Sequence, residues 1–336
     1  MGVKYLNEKL AIGKTEIKNR LVMPPMATEK SEQGRVTDAL CSYYDEMTNG
    51  GYIGLVILEH SFVSPEGKAS PNQTSIADDA AIDGFRRVAE TIHNNDTKVI
   101  AQLAHAGSAA KRAITGMEAI SASPLINPCD TSARMGEQVP PREMTRNDID
   151  RIIECFASAA ERAKMAGFDG AEIHSAHGYL LDQFYSPLTN KRTDAYTGST
   201  MEGRTLLHRQ IIKAVRERTG DGFIISLRLG ASDYAEGGAS VEEVPEAAKL
   251  LADAGLDMIS ISGGMCDFFR PGHTEQGWFA ELSEAAKKVV SIPILLTGGI
   301  TDVEAAESLL EHGKADMIGV GRAFLKDHSL PQKWLA

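Results

Sequence analysis

Ile173-His174-Ser175-Ala176-His177-Gly178-Tyr179-Leu180-Leu181-Asp182-Gln183-Phe184 joins two patterns of different period. The apolar residues before His174 read as a buried strand, and YLLDQF resumes helical spacing. HSAHGY is therefore expected to be a strand-to-helix turn, with Gly178 relieving its geometry. Turns of this kind are where α/β enzymes place their chemistry. Two neutral imidazoles, His174 and His177, can donate hydrogen bonds to one oxygen and polarise a carbonyl, while the Tyr179 phenol can deliver a proton nearby. Two other readings compete. The histidines can be structural residues of the turn, or they can join Asp182 in ligating a divalent metal. The metal reading is the weaker, because Asp182 falls well into the following helix and no further acid or His stands at a metal-ligand spacing.

Outward from this segment, short apolar runs recur between helical patterns: Leu21 to Met23, Leu55 to Leu58, Val99 to Leu103, Ala171 to Ile173, Phe223 to Leu229, Met258 to Ile261, Ile294 to Leu296 and Met317 to Val320. Amphipathic stretches lie between them, among them Ile82 to Asn94, Ile149 to Ala166 behind the cap-like Thr145-Arg146-Asn147-Asp148, Leu206 to Arg218, Val241 to Ala254 and Val303 to Glu311. Eight βα units in one parallel sheet close most naturally as a (β/α)8 TIM barrel, an α/β fold. Tyr5 to Ile17, with its Gly13-Lys14 turn, is expected to be a β-hairpin closing the bottom. The long segments Ala104 to Thr145 and Gly263 to Ala280 would overhang the opposite, C-terminal face.

In such a barrel the strand ends face the active site. Those ends are Pro24-Pro25-Met26-Ala27, Glu59-His60, Gln102, His174 to Tyr179, Arg228, Ser262-Gly263-Gly264, Thr297-Gly298-Gly299 and Gly321-Arg322. Gly298 and Gly299 free backbone N–H groups, and Gly321-Arg322 opens a short helix, in the two loops where this fold commonly binds phosphate. Each glycine pair alone is more simply an ordinary tight turn; Arg322 beside both tips the reading toward phosphate. Arg228 is either half of a salt bridge inside the barrel or an anion stabiliser. Gln102 offers a donor and an acceptor to a heterocycle, or is merely solvated at the rim.

The chain has 336 residues, 43% of them hydrophobic, and no linker or charge block divides it, so one domain over 1–336 is expected. No apolar run approaches a membrane span, and the opening MGVKYLNEKL resembles neither a signal peptide nor a myristoylation site, which makes a soluble cytoplasmic protein the expectation. The net charge of −11 without a basic cluster argues against nucleic acid and anionic membrane as partners. Cys41, Cys129, Cys155 and Cys266 form no CxxC pair; buried thiols are expected rather than zinc or iron-sulfur ligands.

KNRLVMPPM, AQLAHAG, EIHSAHGYLLDQFYSPLTNKRTDAYTG, SLRLGASDY and GVGRAFL together resemble the Old Yellow Enzyme family of FMN-dependent NADH:flavin oxidoreductases, in the family's order and over nearly the whole chain. The resemblance implies non-covalent FMN, NADH or NADPH as electron donor, and reduction of an activated alkene. His174 and His177 would hold the carbonyl oxygen while Tyr179 gives the proton. Gln102 and Arg228 would contact the flavin ring, Arg228 favouring its reduced, negatively charged form. Pro24, Pro25, Met26 and Ala27 would lie along the ring's edge with His60 near it, and Gly298, Gly299, Gly321 and Arg322 would hold the phosphate. Asn190, Arg192, Thr193 and Asp194 match a family stretch expected to order a loop. Ala27 departs from the Thr or Cys common in the family, Glu29 from a substrate-contacting Tyr, and His60 from a small residue. With Ala336 as the last residue of the sequence, a catalytic barrel standing alone is expected, without the iron-sulfur and nucleotide domains of dienoyl-CoA reductases and trimethylamine dehydrogenases and without the tail that some bacterial members extend into a neighbour. A catalytic barrel of an amine demethylase or dienoyl reductase served by a separate electron-transfer partner is the alternative. A metal-dependent lyase and a silent flavin binder are the alternatives outside this chemistry, and a homo-oligomer is compatible with all of them.

Overall fold

The computed structural model describes residues 3–129 and 139–336. A hairpin, β1 (Leu10–Ile12) and β2 (Thr15–Ile17), precedes strands β3 (Leu21–Met23), β4 (Leu55–Phe62) and β5 (Lys98–Ala104). A small parallel pair follows, β6 (Ile120–Ser121) and β7 (Arg142–Glu143), then β8 (Gly170–Ser175), β9 (Ile224–Gly230), β10 (Met258–Ser262), β11 (Ile294–Leu296) and β12 (Met317–Gly319). Eight of these close a parallel barrel in the order β3-β4-β5-β8-β9-β10-β11-β12 and back to β3, with helices between consecutive strands. It is the expected (β/α)8 barrel.

Inside the barrel at its lower end, Val22, Leu55, Ile57, Ile100, Ile224, Met258, Leu295 and Met317 pack together with Ile12 and Ile17 of the hairpin. The alternation of β1 and β2 sends these two isoleucines inward, so the hairpin plugs the bottom and leaves the C-terminal end to the cavity. A second, larger apolar shell lies between the strands and the helices.

Helix Ile82–Asn94 has the expected bounds, as does Val303–Glu311. Helix Arg146–Met165 opens on a full capping box: the Thr145 side chain accepts from Asp148 N, and the Asp148 carboxylate accepts from Thr145 N. Helix Met201–Thr219 begins before Leu206 because the Thr200 side chain accepts from Gly203 N. Three strand ends were read too short. His174 lies on β8, so the turn proper starts at Ala176; Glu59 and His60 lie within β4, at a register shift between Leu58 and Ser61; β5 runs on to Ala104. For β4 and β8 the reason is shared: at the upper end these strands carry polar residues, and the apolar pattern stops before the strand does. The cysteines are free thiols but half-buried rather than buried. The expected overhanging loop Ala104 to Thr145 includes residues outside the described ones.

Candidate active site and its flavin cradle

His177 takes φ 58° and Gly178 φ 69°, a left-handed pair that turns the chain sharply off β8. A histidine is strained there, and the surroundings hold it. His177 N donates to Gly263 O at 3.2 Å and Gly178 N to Asp182 Oδ2 at 2.7 Å, while Gly178 O accepts from Asn127 Nδ2 and Gln183 Nε2, each at 2.6 Å. Asp182, which a metal site would have required, is thus turned to the backbone. Among the described residues no group of three or more His, Cys, Asp and Glu is arranged to hold a metal ion.

The turn brings its three polar rings together. The ring centroids of His174 and His177 are 5.2 Å apart, and those of His174 and Tyr179 are 5.0 Å apart. His60 joins them, 5.9 Å from Tyr179. All four line one cavity of about 1140 Å³ at the C-terminal end of the barrel, together with Pro24, Pro25, Met26, Ala27, Gln102, Arg228, Gly298, Gly299, Gly321 and Arg322. Every residue singled out at the strand ends for the cofactor therefore borders the same space. Glu29 is not among the lining residues; its carboxylate accepts from Ser70 Oγ and Asn72 N. Asn190 and Arg192 lie off the cavity as well: the Asn190 amide donates to Phe184 O and Tyr196 O, and Arg192 Nη1 to Met144 O.

Burial and the nearby Arg228 cation hold both imidazoles well below the usual histidine range, so they are neutral. Burial likewise lowers His60 to about 4 and raises the Tyr179 phenol, which keeps its proton. The tautomer of His177 follows from its partner. Ser262 Oγ lies 2.7 Å from His177 Nε2 and also accepts, at 3.4 Å, from Arg228 Nη2. A Ser262 hydroxyl that donates to Nε2 leaves the ring proton on Nδ1, the nitrogen free for a ligand.

Two features of the cavity suit FMN. Arg228 is only 5% exposed, yet its Nε and Nη1 have no partner among the described residues, and Nη2 makes just the long contact to Ser262. A buried guanidinium left so incomplete matches an electron-rich heterocycle that supplies the missing acceptors. The salt bridge offered as its alternative is not formed among the described residues. At the other end Gly298 and Gly299, at φ 130° and 68°, carry the chain after β11 where a Cβ would strike the Trp278 ring, and Gly321 caps helix Arg322–Lys326. Arg322 stands over Phe268, Phe269 and Trp278, at 5.7, 4.8 and 5.4 Å from their ring centres. This stacking pre-orients the guanidinium beside both glycine loops without using its donors.

Reading the sequence missed three parts of this arrangement. The aromatic shelf comes from an irregular segment with no period to betray it. Glu172, two residues before His174 and so on the same face of β8, was passed over inside an apolar run. Ser262 was noted as a strand end but not as a partner of His177, since nothing in the spacing pairs β8 with β10.

The closed barrel thus carries two neutral imidazoles and two glycine loops on one cavity at its C-terminal end. The model of the NADH:flavin oxidoreductase / NADH oxidase family matches residues 6–335, and the chain belongs to that family, whose cofactor is FMN. It is 41% identical to an NADH oxidase of Thermoanaerobacter brockii over 96% of its own length, spanning about half (49%) of that protein. It is 38% identical to an NADPH dehydrogenase of Halalkalibacterium halodurans, over 94% of this chain and 90% of that one. The solved structure of the old yellow enzyme homologue from Zymomonas mobilis superposes with a TM-score of 0.84 at 28% identity, covering 98% of this chain and 92% of that one. Among the described residues no helix is long and apolar enough to cross a membrane.

Proposed function

We propose that the protein reduces the activated C=C bond of α,β-unsaturated carbonyl compounds, with NADH or NADPH as the source of electrons. The observation that carries this reading is the meeting of two neutral imidazoles and a protonated phenol on one wall of the cavity. FMN, when bound, supplies hydride chemistry. The chain's own groups divide the remaining work. His177 Nδ1–H, set by Ser262, and His174 through the nitrogen opposite its buried Nδ1 donate to the carbonyl oxygen and stabilise the negative charge that grows there. Tyr179 Oη holds a proton at neutral pH and gives it to the carbon next to the carbonyl; its raised pKa prevents premature loss. Arg228 and Gln102 bind the flavin ring, Pro24 to Ala27 and His60 flank it, and Arg322 with the Gly298, Gly299 and Gly321 backbone holds the phosphate.

Anaerobic turnover of 2-cyclohexen-1-one with each nicotinamide tests the proposal. A yellow protein that nicotinamide bleaches and the enone re-oxidises supports it; a bleached protein that only oxygen re-oxidises refutes alkene reduction. A second reading is favoured by one observation, the T. brockii NADH oxidase being twice as long as this chain. On that second reading this barrel works with a separate electron-transfer partner, and its flavin is reduced by dithionite but not by either nicotinamide.

A further inference from the structure

One ionisable group in the barrel takes no part in the mechanism above. Glu172 is fully buried on β8, directly beneath the cavity, in a cross-strand row with Gln102 of β5 and Ser226 of β9. Gln102 Nε2 donates to Glu172 Oε1 at 2.8 Å, and Ser226 Oγ donates to Oε2 at 3.0 Å. Arg228 stands two residues beyond Ser226 on the same face of β9, a diagonal neighbour across the strands.

We propose that Glu172 is an ionised positioning residue under the cofactor, which fixes the Gln102 amide with its NH2 group turned down into the barrel and balances the charge of Arg228. The inference rests on the reading of the cavity as the FMN site. Both carboxylate oxygens have a donor within reach, Gln102 Nε2 and Ser226 Oγ, an arrangement that suits the anion. Burial raises the Glu172 carboxyl above the usual carboxylate range, and the Arg228 guanidinium is the largest influence opposing that rise. The coupling is reciprocal: Glu172, with Asp267 at the cavity rim, supports the charged form of Arg228 against its own burial. An acceptor-only carboxylate also decides which end of the Gln102 amide it can meet. Only the NH2 end fits, so the amide oxygen is the end left for the cavity, and Gln102 presents an acceptor to its ligand. Without Glu172 the amide is free to turn over and Arg228 stands as an uncompensated cation.

The test compares the reduction potential of bound FMN in the wild type, in the neutral isostere Glu172→Gln and in the charge-retaining Glu172→Asp, by anaerobic titration against reference dyes. Loss of the negative charge leaves Arg228 to favour reduced flavin more strongly. Glu172→Gln is therefore expected to shift the oxidised-to-reduced equilibrium at least tenfold toward reduced flavin, about 30 mV for a two-electron couple. Glu172→Asp is expected to stay nearer the wild type. An unchanged or lowered potential in Glu172→Gln overturns the proposal, as do equal shifts in both variants, which a mere packing role would produce. Should Glu172→Gln not fold, the double variant Glu172→Gln, Arg228→Met decides. Recovered folding supports the pairing, because the unpaired buried cation is gone, and continued failure overturns it. A wild-type protein that binds no FMN removes the cofactor reading itself, before any variant is compared.

Discussion

Replacing Ser262 by alanine removes the group that sets the His177 tautomer. The hydroxyl lies 2.7 Å from His177 Nε2, and the structure offers that nitrogen no other partner among the described residues. In Ser262→Ala the ring proton can sit on either nitrogen, and a ligand oxygen in the cavity must select the Nδ1–H form. The loss is that of one neutral hydrogen bond, about 0.5–1.5 kcal/mol, or about 2- to 13-fold in dissociation constant. The contact to Arg228 Nη2 at 3.4 Å adds little to this. The assay is titration of the oxidised enzyme with p-hydroxybenzaldehyde, whose phenolate is expected to stack on the flavin with its oxygen at the two histidines and to produce a long-wavelength charge-transfer band. His177→Ala, measured in parallel, sets the ceiling, since it removes the donor altogether. If Ser262→Ala binds the phenol as the wild type does while His177→Ala binds it weakly, the tautomer is not set by Ser262.

Tyr179→Phe is expected to slow alkene reduction about 10²- to 10⁴-fold while leaving flavin reduction by nicotinamide nearly intact, because only the second half-reaction uses the proton; stopped-flow measurement of both halves checks it, and equal slowing would refute the role. Arg322→Ala should weaken FMN retention about 13- to 160-fold, the worth of charged hydrogen bonds of about 1.5–3 kcal/mol, and equal retention after dialysis would remove Arg322 from the phosphate site. His208, fully buried with Nε2 at 2.8 Å from Ser175 Oγ, is lowered by burial to about 3. The unfolded chain takes up this proton near pH 6.5 and the folded chain does not, so the stability it contributes is complete above about 6.5 and is lost as pH falls toward 3. Thermal melts at a series of pH values should show the wild type losing ground to His208→Gln on acidification; a difference independent of pH would contradict the buried neutral state.

The sequence by itself determined the architecture. Eight short apolar runs alternating with amphipathic stretches admit few packings, and the Gly13-Lys14 turn within Tyr5 to Ile17 was enough to place a hairpin. Local chemistry was legible too, because the cap of Thr145 and the glycines after β11 act over a few residues. His174, His177 and Tyr179 could be read together for the same reason: one turn carries all three. Only the tertiary structure decided what surrounds them. Closing the sheet fixes the register between strands distant in sequence, and that register sets Gln102 beside Glu172 and Glu172 beside Ser226. The same closure brings Ser262 of β10 to His177 at the end of β8. The shelf of Phe268, Phe269 and Trp278 under Arg322 belongs to a loop whose path depends on the barrel rim it crosses, not on any local period. Side-chain direction is local and therefore written in the pattern, whereas the partner a side chain meets across the barrel depends on how every strand staggers against the next.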